Sequence, residues 1–134
     1  MKKLLAALLL ILCAGPSSAQ VAPVAYNATT ALANGLVVKN VGPGRMFGFQ
    51  ALNNNAAVRF ILVYDAAAAP ADGTTTPTMW YALAGSASAP NNSITVSLGL
   101  SPVLFLNGIV FVCSSTGPFT KTAAADCAIA VQAQ

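Results

Sequence analysis

The sequence predicts an all-β protein, an antiparallel two-sheet β-sandwich of jelly-roll or Ig-like type with about seven or eight short strands. Apolar and polar residues alternate with period two in several short runs, which is typical of half-buried strands. Glycine, proline and asparagine turn signals separate these runs. No segment shows the sustained periodicity of an amphipathic helix, so a helical layer is not expected.

Residues 1–19 have the three parts of a secretory signal peptide. Lys2 and Lys3 precede an apolar run over 4–13, and Ser17-Ser18-Ala19 supplies a small-x-small end. The apolar run is shorter than the roughly 20 residues that span a bilayer. We therefore predict cleavage after Ala19, a single domain over 20–134, and export to the periplasm, the extracellular space or a virion surface. No membrane span is expected after the leader is removed.

Two alternatives to this leader are a retained anchor and a lipoprotein. The short apolar run speaks against the anchor. Cys13 would be the lipidated residue of a lipoprotein, but Leu12 precedes it where a small residue is expected. Cleavage after Ala19 remains the preferred interpretation.

The chain after the leader begins with a loosely patterned stretch. Residues 20–33, interrupted by Pro23, suit an edge strand or an arm that packs on a neighbour. A short strand is predicted over 36–41, and Gly42-Pro43-Gly44 ends it.

The central stretch over 44–65 predicts two strands joined by an asparagine turn. In the run 46–52, Phe47, Phe49 and Ala51 share one face. In the run 58–64, the residues of one face are Val58, Phe60, Leu62 and Tyr64. Asn53-Asn54-Asn55 suits a turn, because asparagine tolerates left-handed backbone. We predict that the two strands form a β-hairpin.

The remaining elements follow in the same way. Residues 66–77 and 85–92 are predicted loops, and so is 114–126. Further strands are predicted over 78–83, 93–98, 103–106, 109–113 and 127–132. The run 93–98 alternates cleanly and predicts a half-buried strand, whereas 109–113 is apolar on both faces, as expected of a central strand. Asn107-Gly108 marks a tight turn.

Two cysteines, Cys113 and Cys127, remain after the leader. An exported chain meets an oxidising compartment, so an even count predicts a disulfide between them. The alternatives are two buried thiols or a metal pair, but without histidine or a third cysteine a zinc site lacks ligands.

The inventory of reactive side chains predicts no catalytic residues, no metal site and no cofactor. There is no histidine, and the only carboxylates are Asp65, Asp72 and Asp126, far apart in the chain. General acid–base catalysis needs such a group in position, and no serine or threonine has a base beside it. The aspartates lack the spacing of a calcium loop and suit turns instead.

Charge is sparse, with 7% charged residues in the whole chain. The few scattered cations do not form the basic patch that nucleic acid binding requires, so no nucleic acid partner is expected. A monomer of this size usually displays many charges for solubility. The low charge suits a subunit that associates with copies of itself or with a larger assembly, although an ordinary low-charge secreted protein is an alternative.

Trp80-Tyr81 is the one candidate binding patch. Aromatic side chains beside polar loops stack on sugars or anchor interfaces, so a glycan is a candidate partner. A core position for Trp80 is the alternative, and the usual burial of tryptophan favours it.

The central stretch resembles small virion-associated proteins of tailed bacteriophages and prophages. The likeness lies in the order and spacing of GF at 48–49, LNNNAAVRFILVYD at 52–65, AP at 69–70, DG at 72–73, TP at 76–77, Leu104, and NGIVF at 107–111. The resemblance implies a β-sandwich structural module with no catalytic residues to transfer. The leader and the cysteine pair depart from that pattern. We therefore expect an exported structural or surface protein without enzymatic activity, of phage or phage-derived type, with a secreted adhesin or carbohydrate-binding module as the alternative.

Overall fold

The computed structural model describes residues 24–28, 35–85 and 92–134, which form an antiparallel all-β fold without a helix. The fold class predicted from the alternation is confirmed. The strands are β1 (Val24–Ala28), β2 (Leu36–Lys39), β3 (Gly44–Asn53), β4 (Arg59–Tyr64), β5 (Gly73–Thr74), β6 (Met79–Leu83), β7 (Asn92–Ser97), β8 (Val103–Phe105), β9 (Ile109–Ser114), β10 (Thr120–Lys121) and β11 (Cys127–Ala133). They outnumber the predicted strands mainly because β5 and β10 are two-residue pieces within predicted loops.

Two sheets form the sandwich. The five-stranded sheet has the order β1-β11-β3-β7, with β8 also paired to β3. The four-stranded sheet has the order β2-β9-β4-β6. The segment 24–28 is thus an edge strand, one of the two alternatives for this part of the chain, and β9 is a central strand as predicted.

The core lies between the two sheets. Its largest fully buried side chains include Met46, Phe105 and Val131 from one sheet and Ile61, Ile109 and Phe111 from the other. Phe49 meets Phe111 edge to face across the interface, with ring centroids 5.3 Å apart. Each such side chain contributes about 1.5–3 kcal/mol by leaving water, so the apolar period-two positions supply most of the stabilisation.

The predicted hairpin of the central stretch is wrong. β3 pairs with β11, β7 and β8, whereas β4 pairs with β9 and β6 in the opposite sheet. The asparagine stretch is therefore a corner that carries the chain from one sheet to the other. The physical reason is that both edges of β3 and both edges of β4 already have other partners, and β4 is apolar on both faces.

Asn53 holds this corner from inside. Its side chain is fully buried, and its Nδ2 donates to the carbonyl oxygens of Ala57 and Ala84 at 2.9 and 3.0 Å. Its Oδ1 accepts the N–H of Asn55 at 2.9 Å. A buried amide must be bonded in this way to avoid a penalty of about 1–3 kcal/mol, so Asn53 fixes the corner and joins it to the end of β6.

A β-bulge changes the predicted faces of β3. Gln132 and Ala133 of β11 stand opposite Gly48 and Met46, so Phe47 is an extra residue. The bulge turns Met46 into the core and leaves Phe47 only partly buried. The prediction that Phe47 shares the face of Phe49 and Ala51 is therefore wrong, because period two fails across a bulge.

The predicted loops 66–77 and 114–126 fold over the outer face of the four-stranded sheet. Within them, β5 and β10 pair as a two-stranded ribbon. Beneath, a second apolar cluster contains Leu62, Tyr64, Val110 and Val112. Ala66 and Ala69 pack against this cluster, and the hydroxyl of Tyr64 bonds that of Thr75 at 2.8 Å. This cover explains why β4 and β9 are apolar on both faces.

The structure brings Cys113 and Cys127 to bonding distance, with sulfur atoms 2.03 Å apart and Cα atoms 6.0 Å apart. Cys113 lies in β9 and Cys127 begins β11, so the bridge ties the two sheets together. Both residues are fully buried, which shields the bond from reductants.

The described parts of the chain contain no helix with the length and apolar character that a membrane span requires. The predicted leader 1–19 and the predicted loop residues 86–91 lie outside the described residues.

Candidate functional site

The structure separates the two residues of the predicted aromatic patch. Tyr81 points toward the core, where its ring centroid lies 5.1 Å from that of Phe49, and burial raises the pKa of its phenol. Trp80 points outward and is 44% exposed, so the core alternative does not hold for it. Neighbouring residues on a strand face opposite sides, and the two rings therefore do not form one surface.

Trp80 instead has a surface partner that the sequence did not indicate. Phe119, in the segment before β10, is exposed, and its ring centroid lies 6.3 Å from that of Trp80 in an edge-on arrangement. We call Trp80 and Phe119 the aromatic pair. Phe119 sits in a predicted loop with no periodic pattern, and only the pairing of β5 with β10 brings it over the sheet.

Asp65 caps the turn between β8 and β9. Its carboxylate accepts the backbone N–H groups of Asn107, Leu106 and Gly108 at 2.6, 3.0 and 3.2 Å. These donors, the N–H of Asn107 first, hold the pKa of the Asp65 carboxyl below its usual value. The carboxylate thereby fixes the end of β4 to this turn.

The other two carboxylates also have structural partners. Asp72 pairs with the ammonium of Lys121 and accepts the N–H of Ala123 at 3.1 Å, and the hydrogen bond from Lys121 is the main cause of its lowered pKa. Asp126 accepts Nε and Nη2 of Arg59 on one oxygen, at 2.8 and 2.6 Å. Among the described residues no cluster of three or more His, Cys, Asp or Glu is placed to hold a metal ion.

Strand β7 forms a regular outer edge of the five-stranded sheet. It pairs with β3 from Asn92 to Ser97, and the next N–H, that of Leu98, donates to the carbonyl of Phe47 at 2.9 Å. Hydrogen-bonded positions alternate along an antiparallel ladder. The backbone groups of Ser93, Thr95 and Ser97 therefore point away from β3, and no other described strand pairs with them. We call these three residues the β7 edge.

Among the residues that the structure describes, the β7 edge lacks the usual protection of an edge strand. Natural edges are blunted by charged side chains, proline or bulges, because exposed backbone groups recruit other strands. The edge strand β2 shows such protection, with a register shift between Val37 and Lys39 and the cation of Lys39 itself. β7 has neither a charge nor a proline over its six residues.

The outer face beside the β7 edge is also uncharged. A shallow groove of about 270 Å³ crosses β7, β3 and β11, and its exposed polar lining consists of Gln50, Thr95, Ser97 and Gln132. Gly48 forms part of the groove, and a Cβ there would lie 2.4 Å from the carbonyl oxygen of Val96. Glycine is thus required for β7 to approach β3 this closely.

The edge status of β7 depends on pairings distant in sequence, so the alternation that predicted the strand gave no signal of it. Comparisons with protein-family models, with curated proteins and with solved structures each found no match to this chain.

Proposed function

We propose that this chain is an exported structural protein without enzymatic activity, whose copies associate with one another in a surface assembly. The phage-like segments of the sequence support a virion or phage-derived appendage as that assembly. The sparse charge and the structural engagement of all three carboxylates support a role through shape and surface.

The β7 edge carries this proposal. Two copies of β7, related by a twofold axis, can pair antiparallel and extend the five-stranded sheet from one molecule into the next, as symmetric dimers commonly do. Six regular residues supply the ladder. The uncharged outer face brings no repulsion to the joint.

A charge-swap experiment tests the edge. Thr95 is the middle residue of the β7 edge, so a β7–β7 joint places the two Thr95 side chains close together. We expect Thr95→Lys and Thr95→Glu each to weaken self-association, because like charges across a strand pair repel. An equimolar mixture of the two variants is expected to associate again. Sedimentation velocity over a concentration series measures the self-association of each variant and of the mixture.

Gln50→Lys is the matched control, since Gln50 stands directly opposite Thr95 on β3 and on the same exposed face. Edge pairing predicts that it leaves association unchanged. If Gln50→Lys dissociates the copies while Thr95→Lys does not, face stacking replaces edge pairing. A wild-type protein that remains monomeric at all concentrations contradicts the proposal. Mass spectrometry of purified particles from the producing strain tests the assembly itself.

A second candidate function is glycan binding, as in an adhesin or carbohydrate-binding module. The observation that favours it is the aromatic pair, because exposed aromatic rings stack on the apolar faces of sugars. Trp80 and Phe119 are both exposed on the same side of the molecule.

We expect Trp80→Ala to abolish binding on a glycan array if this second function holds, since it removes the larger ring of the aromatic pair. Val58→Ala, an exposed apolar residue in the corner after Asn53, is the control and is expected to change nothing. Equal array signals for Trp80→Ala and wild type, or no signal from either, count against glycan binding.

A further inference from the structure

One end of the sandwich carries the most exposed large apolar side chains of the described residues. They are Val41, Leu100, Leu104 and Leu106, with exposed fractions of 74%, 97%, 56% and 63%. We call these four residues the apolar end. Exposed apolar groups that collect in one region mark an interaction surface.

The strand register places these residues around the starts of β3 and β8. Leu104 stands opposite Arg45 in the β3–β8 ladder, and Leu106 follows two residues later. Val41 lies in the connection that enters β3. Leu100 lies between β7 and β8, next to Gly99 with its positive φ of 55°. Both strands pair with the same edge of β3, at Gly48 and Met46, so Leu100 stands on that sheet edge beside the start of β8. Three of the four side chains thus stand on connections beyond the strand ends rather than within a concave groove.

Two cations without an acidic partner accompany the apolar end. Within the described residues the salt bridges are Arg59–Asp126 and Lys121–Asp72, so Lys39 and Arg45 have none. Both line a hollow of about 300 Å³ whose other walls are Pro43, Gly44, Leu104 and Gln134. Asp65 lies at this end too, because its carboxylate accepts the backbone N–H of Leu106, and its backbone hydrogen bonds favour the ionised form. Lys39 and Arg45 outnumber this one carboxylate, so the end carries a net positive charge as well as apolar side chains.

We propose that the apolar end binds the surface of a bilayer that contains anionic phospholipid. The aliphatic side chains enter the boundary between headgroups and acyl chains, and Lys39 and Arg45 face the lipid phosphates across the hollow. Apolar insertion combined with electrostatic attraction is the usual basis of reversible membrane attachment. Charge complementarity selects an anionic surface.

A second copy of the chain fits this end less well. Twofold contact through the apolar end would bring Lys39 and Arg45 of one copy against the same cations of the other. Side chains on separate connections also fill a partner groove poorly, whereas each can enter a fluid interface independently. The β7 edge and the apolar end are thus two surfaces with different occupants.

Vesicle co-sedimentation of the purified full chain tests the inference. Vesicles of equimolar phosphatidylglycerol and phosphatidylcholine are expected to bind the protein, and pure phosphatidylcholine vesicles much less. Leu100→Gln is expected to weaken binding about tenfold, the effect of losing one buried leucine side chain. Lys39→Gln and Arg45→Gln each reduce it about fivefold at low salt, and raising the salt narrows that difference.

Val58→Gln, an apolar-to-polar change at an exposed residue outside the apolar end, is the matched control and should bind like wild type. All variants carry the same leader, so a retained leader changes every one equally. Equal binding of Leu100→Gln and Val58→Gln overturns the inference, as does equal binding to both vesicle types. Full release by inorganic phosphate at unchanged ionic strength also overturns it, because the hollow would then hold only a free anion.

The variant Thr95→Lys distinguishes membrane binding from self-association. Thr95→Lys is expected to bind anionic vesicles no more weakly than wild type, because it adds a cation and leaves the apolar end unchanged. If wild type sediments without vesicles and Leu100→Gln does not, the apolar end binds a second copy of the chain. That result would overturn the membrane inference.

Discussion

Replacing Cys113 and Cys127 together by alanine is expected to lower the free energy of unfolding by about 3 kcal/mol. The bridge closes a sequence separation of 14 residues and joins the two sheets. Removing it restores the conformational freedom of the unfolded chain. For a domain of this size the melting temperature should fall by roughly 10–20 °C, which thermal unfolding followed by circular dichroism measures.

Unfolding in dithiothreitol is the control for the predicted effect of the disulfide. Wild-type protein unfolded and remelted in dithiothreitol should approach the stability of the double variant, whereas the double variant itself should not respond to dithiothreitol. Peptide mapping without reduction is expected to recover Cys113 joined to Cys127. Recovery of both as free thiols, or a reductant-insensitive wild type, would contradict the oxidised bridge.

The second large effect is expected for Asn53→Asp, which should destabilise the fold by about 3 kcal/mol or more. The substitution keeps the shape but replaces the buried Nδ2 donor with a carboxylate oxygen. That oxygen would face the carbonyl oxygens of Ala57 and Ala84, which now receive the N–H bonds of Asn53. Urea unfolding of the variant beside wild type measures the loss.

Asn54→Asp is the matched control, because Asn54 is the exposed neighbour in the same corner. It should change the unfolding free energy by about 0.5 kcal/mol or less. The pH dependence of the destabilisation by Asn53→Asp is a second measurement. Burial raises the pKa of the new carboxyl, so its destabilising effect is present at neutral pH and shrinks as pH falls and the group is protonated. A pH-independent difference from wild type would show that Asn53 acts only by filling space.

The fold class followed from the sequence because period two is a local property. Ile94, Val96 and Leu98 alternate with polar residues, and all three pack against the core as predicted. The same pattern does not identify the partner of a strand, which is why the sequence predicts a hairpin turn at Asn53 where the structure has a corner. One signal of the corner was present, since β4 is apolar on both faces whereas β3 carries Gly48 and Gln50 on its outer face.

The candidate sites were less accessible to sequence reasoning. Alternation already implies that Trp80 and Tyr81 face opposite sides, but the exposed partner Phe119 comes from a segment without periodicity. The bulge at Phe47 places Met46 in the core instead of Phe47, and no turn residue in the sequence indicates the bulge. The β7 edge and the apolar end depend on which strands pair across long separations, which no local pattern reports.

Strand β11 lies between β1 and β3, although it is the final strand of the described chain. The nascent polypeptide therefore cannot complete its larger sheet until residues 127–133 have left the ribosome. Such late completion of the sheet is compatible with the proposed export, which needs a chain that has not yet folded. In that proposed route, Cys127 at the start of β11 would form its bridge to Cys113 only after the chain has crossed the membrane.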